Sequence, residues 1–306
     1  MFQTKKNREL AIFTIVQDEP EFIHAWVNHY KKHVADPRDL YVLIHLPTRP
    51  DGQPMRSDEM AAWHRAQALM THHHLVTAVP VHHSSAFDHR WLSETVAQFQ
   101  SFLLRSYEWV LFAEADEFVL PMPDPSSSGK TLYDVVRVLG VNPTPAVRAT
   151  GFEIVQQVGE PPVAPQLYND GTNVNLTAAD LIHSCQFWYR ADKYSKTVLA
   201  SVPLRWEVGF HKTDGVAQEI ATGAPSKFLA LVHLHKADFD LALGRLRRSR
   251  ARKWSQLDVE HQLGWQNRID NVAGLRAYWD MDVDTEKPLE SGRLEPIAHG
   301  IKEALR

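Results

Sequence analysis

Three carboxylates stand within four residues, Glu114-Ala115-Asp116-Glu117, directly after the apolar run Trp109-Val110-Leu111-Phe112-Ala113. Such a run reads as a buried strand, and in open α/β sheets ligands bind beyond the carboxyl ends of the strands. Acidic groups crowded there repel one another unless a cation joins them. Hard oxygen donors suit Mg2+ or Mn2+, shared with substrate phosphates. Alternation along an extended chain puts Glu114 and Asp116 on one side and Glu117 on the other. The spacing therefore predicts a divalent-metal site. Two later segments carry imidazoles, Gly209-Phe210-His211-Lys212 and Leu231-Val232-His233-Leu234-His235-Lys236. On a strand, His233 and His235 share a face, and a neutral imidazole is a competent metal ligand. His211 and His235 are taken as candidate ligands, and His233 as a hydrogen-bonded core histidine.

Cations are grouped too. Arg190-Ala191-Asp192-Lys193-Tyr194-Ser195-Lys196 offers Lys193 and Lys196 to a diphosphate. Asp18-Glu19 and Asp51-Gly52 follow the first two predicted strands, as nucleoside contacts or as turn residues. Six Arg or Lys lie between Arg245 and Lys253. They read as a solvated helix face, with attraction to an anionic membrane surface or acceptor as the functional option. Six His between His72 and His89 read as a surface loop, since no H-E-x-x-H spacing occurs. The phosphate-loop, dinucleotide-binding and nucleophile-elbow fingerprints are absent from the sequence.

The elements that must position these residues follow from periodicity. Leu10–Val16, Leu40–Leu46, Leu75–Val81 and Trp109–Ala113 are predicted buried strands. Helices are predicted after Pro20, over Ser57–Met70 and over Trp91–Arg105, with His82–Arg90 as loop. The alternation argues for a parallel sheet with crossover helices. Thr131 is placed as the cap of a helix to Leu139. Val147–Val155, Thr197–Val202 and Phe228–Leu234 are further strands, and Glu160–Asn175 an insertion or lid. Asp238–Lys253 and Asp258–Trp279 are predicted helices, with an extended tail after Asp280. The predicted division is a catalytic domain over 1–240 and a basic helical extension over 241–306 packed on it.

The 306 residues carry 33 basic and 37 acidic side chains, a formal charge of −4, which disfavours a cationic nucleic-acid binder. The one cysteine, Cys185, cannot form a cysteine-based zinc site. No stretch approaches the ~20 apolar residues of a membrane span, and the first 20 residues lack the features of a secretory signal. These features point to a cytoplasmic protein, peripheral at the inner membrane face if Arg245–Lys253 meets lipid.

The pieces, in this order, resemble the family 2-like glycosyltransferases of the GT-A fold. The resemblance rests on Val16-Gln17-Asp18-Glu19-Pro20-Glu21-Phe22 with Trp26 and His29, on Trp109 to Phe118 in place of a D-x-D-E-F segment, on Ser195-Lys196-Thr197, on Gly209-Phe210-His211 and on His233-Leu234-His235. It departs from the family pattern at Glu114, one methylene longer than the usual Asp, and at Gln17-Asp18, where an Asn is usual. It implies a GT-A-like, Rossmann-like α/β fold: a mixed, mostly parallel sheet flanked by helices, with a helical C-terminal extension. It implies transfer of a sugar, with inversion, from a nucleotide-diphosphate donor to a polysaccharide, lipid-linked or protein acceptor, dependent on Mn2+ or Mg2+. Asp116 would be the principal metal ligand, Glu114 and Glu117 would assist it, and His211 or His235 would add a late ligand. Lys196 would meet the leaving phosphates and Asp51 the nucleobase. Asp214, Glu207 and Asp238 are the open candidates for the catalytic base, and Asp214 is carried in the candidate site. The competing readings are a catalytically silent GT-A domain that binds nucleotide or a partner protein, and a His-rich metal hydrolase.

Overall fold

In the computed structural model, the strand Leu10–Val16 starts earlier, and β1 covers Arg8–Val16 with only its first residue exposed. The structure describes residues 8–17, 22–48, 60, 64, 68–69, 71–84, 86–122, 131–139, 145–157, 159–161, 173–214, 229–251, 253–269, 271–280, 294–297 and 299–306. Helix α1 (Ile23–Tyr30) buries every residue but Asn28, because Ile23, Trp26, Val27 and Tyr30 recur at helical spacing. Strands β2 (Leu40–Thr48), β3 (Thr77–Ser84) and β4 (Ala86–Phe87) follow. Helix α2 (His89–Leu103) begins where Asp88 accepts the Trp91 backbone N–H. The predicted loop over 82–90 is therefore strand and helix start. The described residues between 60 and 72 are helical.

Strands β5 (Tyr107–Phe112) and β6 (Glu117–Pro121) flank the acidic turn. Helix α3 (Leu132–Leu139) starts after Thr131, whose Oγ1 accepts the Asp134 N–H. The single strand predicted over 147–155 is two, β7 (Ala146–Arg148) and β8 (Thr150–Val155), in different sheets. At the break the chain passes close to its neighbour: a Cβ on Gly151 would lie 2.4 Å from the Tyr194 carbonyl carbon. The rest comprises α4 (Ala178–Leu181), β9 (Phe187–Arg190), β10 (Thr197–Ala200), β11 (Arg205–Trp206), β12 (Thr213–Asp214), β13 (Leu229–Lys236), α5 (Phe239–Ala251) and β14 (Lys253–Trp254). The helix predicted over 258–279 is instead α6 (Gln256–Glu260), a 3-10 turn at Trp265–Arg268 and α7 (Val272–Asp280). Gly264, at φ +61, breaks it. The tail is not simply extended: β15 (Leu294–Pro296) and α8 (His299–Ala304) are folded.

The fold is α/β, with two mixed sheets flanked by helices. The first sheet runs β3-β2-β1-β5-β10-β7. Its β3, β2, β1 and β5 are parallel, and β10 is antiparallel to β5. Alternation along β1 serves both faces. Leu10 and Ile12 share a core with Trp26 and Tyr30 of α1, while Ala11 and Phe13 share another with Val96 and Leu103 of α2. The chain leaves β1 toward β2 on one side and later returns as β5 on the other, a topological switch point. The second sheet runs β15-β9-β8-β13-β6. The chain crosses from the first sheet to the second at the turn between β5 and β6, which is the acidic turn. No described helix is long and apolar enough to cross a membrane.

Candidate metal centre

The acidic segment is a turn, not an extension of β5. The Glu117 N–H donates to the Glu114 carbonyl at 3.0 Å, and the Glu114 N–H donates to Glu117 Oε2 at 2.9 Å. This corrects the alternation expected there. Glu114 and Glu117 converge, and Asp116 turns the other way. Between Glu114 and Glu117 lies Lys196, 2.8 Å from Glu114 Oε2 and 2.7 Å from Glu117 Oε1, with its side chain 1% exposed. Burial opposes its ammonium, but the two carboxylates outweigh that and hold it above the usual lysine range. Lys196, expected to meet leaving phosphates, instead neutralises the turn from beneath. Glu117, expected to be catalytic, is fully buried and serves as the turn's internal anchor. Glu114, expected to bind metal, faces Lys196.

Asp116 meets a different set. Strand β13 pairs antiparallel with β6 so that His233 lies opposite Glu117, and the Leu234 N–H donates to the Asp116 carbonyl at 2.9 Å. That register brings His233 and His235 to Asp116, their rings stacked with centroids 5.7 Å apart. His233 Nε2 is 3.6 Å and His235 Nδ1 4.0 Å from Asp116 Oδ2. One ligand atom from each of the three residues lies within 4.8 Å of the other two, so the group could hold a metal ion. On the far side of His233, Nδ1 is 2.7 Å from Glu153 Oε2. Glu153 also accepts the Lys236 N–H at 3.0 Å. A carboxylate on the distal nitrogen fixes the ring and aims the other nitrogen at a metal.

The electrostatics suit ligand roles for Asp116 and His235, whereas His233 would have to give up a proton to bind a cation. Burial disfavours the Asp116 carboxylate, but Arg245, then His233 and His235, hold it well below the usual range. Burial likewise opposes a charged His233, yet Glu153 and Asp116 push it up to about 9. Burial, with Arg245 and His233 adding to it, holds His235 well below the usual histidine value. It is a neutral imidazole, and its Nδ1 accepts from Arg245 Nη1 at 3.2 Å. The same Nη1 donates to Asp116 Oδ2 at 2.9 Å.

These groups open on a cavity of about 440 Å3. Ile15, Val16 and Gln17 at the end of β1 form part of its wall, beside the acidic turn. The switch point and the candidate centre therefore coincide. Lys193, Arg245 and Arg248 bring positive charge to the wall. The Gly209-Phe210-His211 segment is a tight turn with two consecutive positive φ angles, +84 at Gly209 and +60 at Phe210. A phenylalanine in that region is strained, a feature that clusters at functional sites.

Among the residues singled out from sequence, Asp116 and His235 come together with His233. The reading of His233 as a hydrogen-bonded core histidine caught its bond to Glu153 but not its place beside Asp116. His211 lines the same cavity but is not one of the three converging ligands; the Tyr194 ring contacts both it and His233, at 5.7 and 4.1 Å between centroids. Lys193 is on the cavity wall. Asp18, Glu19 and Asp51 lie outside the described residues. Of Asp214, only the backbone is described, paired with Arg205. Arg245 and Arg248, read as part of a solvated helix face, line the cavity, while Arg247, Arg250 and Lys253 are exposed. Glu153 was missed. Its signal was a lone carboxylate within an apolar strand, which burial requires to be paired.

In comparisons with known proteins, the chain matches no family model and no curated protein.

Proposed function

We propose that this protein is a metal-dependent glycosyltransferase that uses a nucleotide-diphosphate sugar, with a GT-A-like arrangement of its catalytic half. The observation that carries the reading is the meeting of Asp116, His233 and His235 with Lys193, Arg245 and Arg248 in one cavity at the switch point of the first, mixed sheet. Metal ligands and cations on one wall suit a ligand that carries a diphosphate. Two imidazoles beside one carboxylate suit a transition-metal ion better than Mg2+, which takes oxygen ligands; Mn2+ is the ion to test first. What an ion supplies at such a site is neutralisation of charge on the departing diphosphate. The chain's own part is to orient His233 through Glu153, to keep His235 neutral and to present Arg245 and Lys193 to phosphate oxygens. The acceptor would be a glycan, a lipid-linked sugar or a protein.

Calorimetric titration with UDP and GDP, with and without Mn2+, tests the reading. Metal-dependent nucleotide binding that is lost in Asp116→Asn is the expected result; binding of neither nucleotide would refute it. A second reading, a nucleotide-binding domain without transferase activity, is favoured by Arg245, whose guanidinium bridges Asp116 and His235 where an ion would sit. It predicts nucleotide binding indifferent to Mn2+ and no hydrolysis of any donor sugar.

A further inference from the structure

We propose that His89, held by Asp258, is the base that takes the proton from an acceptor hydroxyl, within a sugar-acceptor subsite built by the segment after α5. The inference rests on the transferase reading and assigns the base to His89 in place of the candidates Asp214, Glu207 and Asp238. His89 opens α2 and lines the same cavity as Asp116. Its Nδ1 lies 2.9 Å from Asp258 Oδ2, and its backbone N–H reaches the same carboxylate at 3.2 Å. Asp258 is completely buried. A carboxylate in that position keeps the proton on Nδ1 and leaves the Nε2 lone pair as the acceptor, the logic of an orienting acid behind a catalytic imidazole.

The surroundings fix the ring rather than merely tolerate it. Trp254 stacks on it with centroids 5.8 Å apart, and Phe87 meets it edge-on at 4.9 Å. The ring edge bearing Cε1 and Nε2 passes over Gly264, where a Cβ would come within 2.5 and 2.9 Å of those atoms. Gly264 is thus required both for its left-handed backbone and for the room its missing side chain leaves. The same part of the wall carries Trp265, 47% exposed, with Tyr278 edge-on to it at 5.8 Å. Exposed aromatic faces beside a proton acceptor suit the apolar face of a sugar ring.

In the step, the acceptor O–H proton passes to His89 Nε2 as the oxygen lone pair forms the bond to the anomeric carbon. The bond from that carbon to the phosphate oxygen breaks, and its electron pair leaves with the nucleoside diphosphate.

The test measures nucleotide release from UDP-glucose, UDP-N-acetylglucosamine and GDP-mannose with Mn2+, using water and methyl glycosides as acceptors. His89→Gln is expected to slow release at least about 100-fold while UDP or GDP binds within twofold of wild type. Asp258→Asn is expected to slow it in the same direction and to move the His89 proton from Nδ1 to Nε2, read from imidazole 15N shifts. If His89→Gln does not fold, Asp258→Asn carries the test through rate and tautomer together. A wild type that turns over while both variants keep its rate overturns the base role alone. A wild type without turnover on any donor overturns the transferase reading and the base role together.

Discussion

Asp116 and Lys196 show how two charges a few residues apart in space are given opposite tasks. Lys196 is enclosed by Glu114 and Glu117, so it stabilises the turn and not a ligand. Lys196→Met leaves a buried Glu117 without its cation, and loss of roughly 3–5 kcal/mol is expected in chemical denaturation. A loss under 1 kcal/mol would show that the pair contributes little. Asp116 is instead surrounded by groups that can exchange a partner: Arg245, His233 and His235. Glu153 acts one step further out by orienting His233. Glu153→Gln is expected to weaken Mn2+ binding about 10–100-fold, followed by the electron paramagnetic resonance of free Mn2+. Unchanged affinity would remove His233 from the ligand set.

Helix α1 carries function only indirectly, by fixing the strand that follows the acidic turn. Tyr30 donates its hydroxyl to the Glu117 carbonyl and accepts the Val119 N–H, while His29 Nε2 reaches the Val119 carbonyl at 3.1 Å. One turn on, His33 Nδ1 accepts the Leu132 N–H of α3. Burial, helped by Lys32, depresses His33 to about 3. The unfolded chain therefore takes up this proton near pH 6.5 and the folded chain does not. Stability from His33 is complete above the unfolded value and is lost as pH falls toward 3, at about 1.4 kcal/mol per pH unit. Urea denaturation at pH 7 and pH 5 should show about 2 kcal/mol lost from this residue, and His33→Gln should remove that part of the slope. An identical slope in the variant would place the acid sensitivity elsewhere.

Across the chain as a whole, the residues after 240 are tied into the elements that precede them. Arg245 of α5 reaches Asp116, β15 pairs with β9, and Leu305 is fully buried against the core that contains α1. The Ala179 N–H donates to the Leu305 carbonyl, and Lys302 Nζ donates to the Cys185 carbonyl at 2.6 Å. Leu305→Ala is expected to cost about 2–5 kcal/mol and to lower the midpoint of thermal unfolding in a single transition. A melting curve that splits into two transitions would mean that the last helix folds apart from the sheets.

The first four strands of the main sheet and the place of the acidic segment after β5 were legible from sequence, because apolar runs of strand length between helical periodicities are local signals of burial; that this segment turns back on itself was not. Asp116 and His235 were legible as candidate ligands, because a carboxylate and an imidazole at strand ends can share a cation. What the chain order could not convey was pairing between distant segments. The register of β13 on β6 makes His233 a neighbour of Asp116, the passage of α5 across the cavity turns Arg245 inward, and the fold of residues 255–265 sets Asp258 behind His89. Each depends on contacts between residues 10 to more than 100 positions apart, which only the closing of both sheets around one core brings into reach.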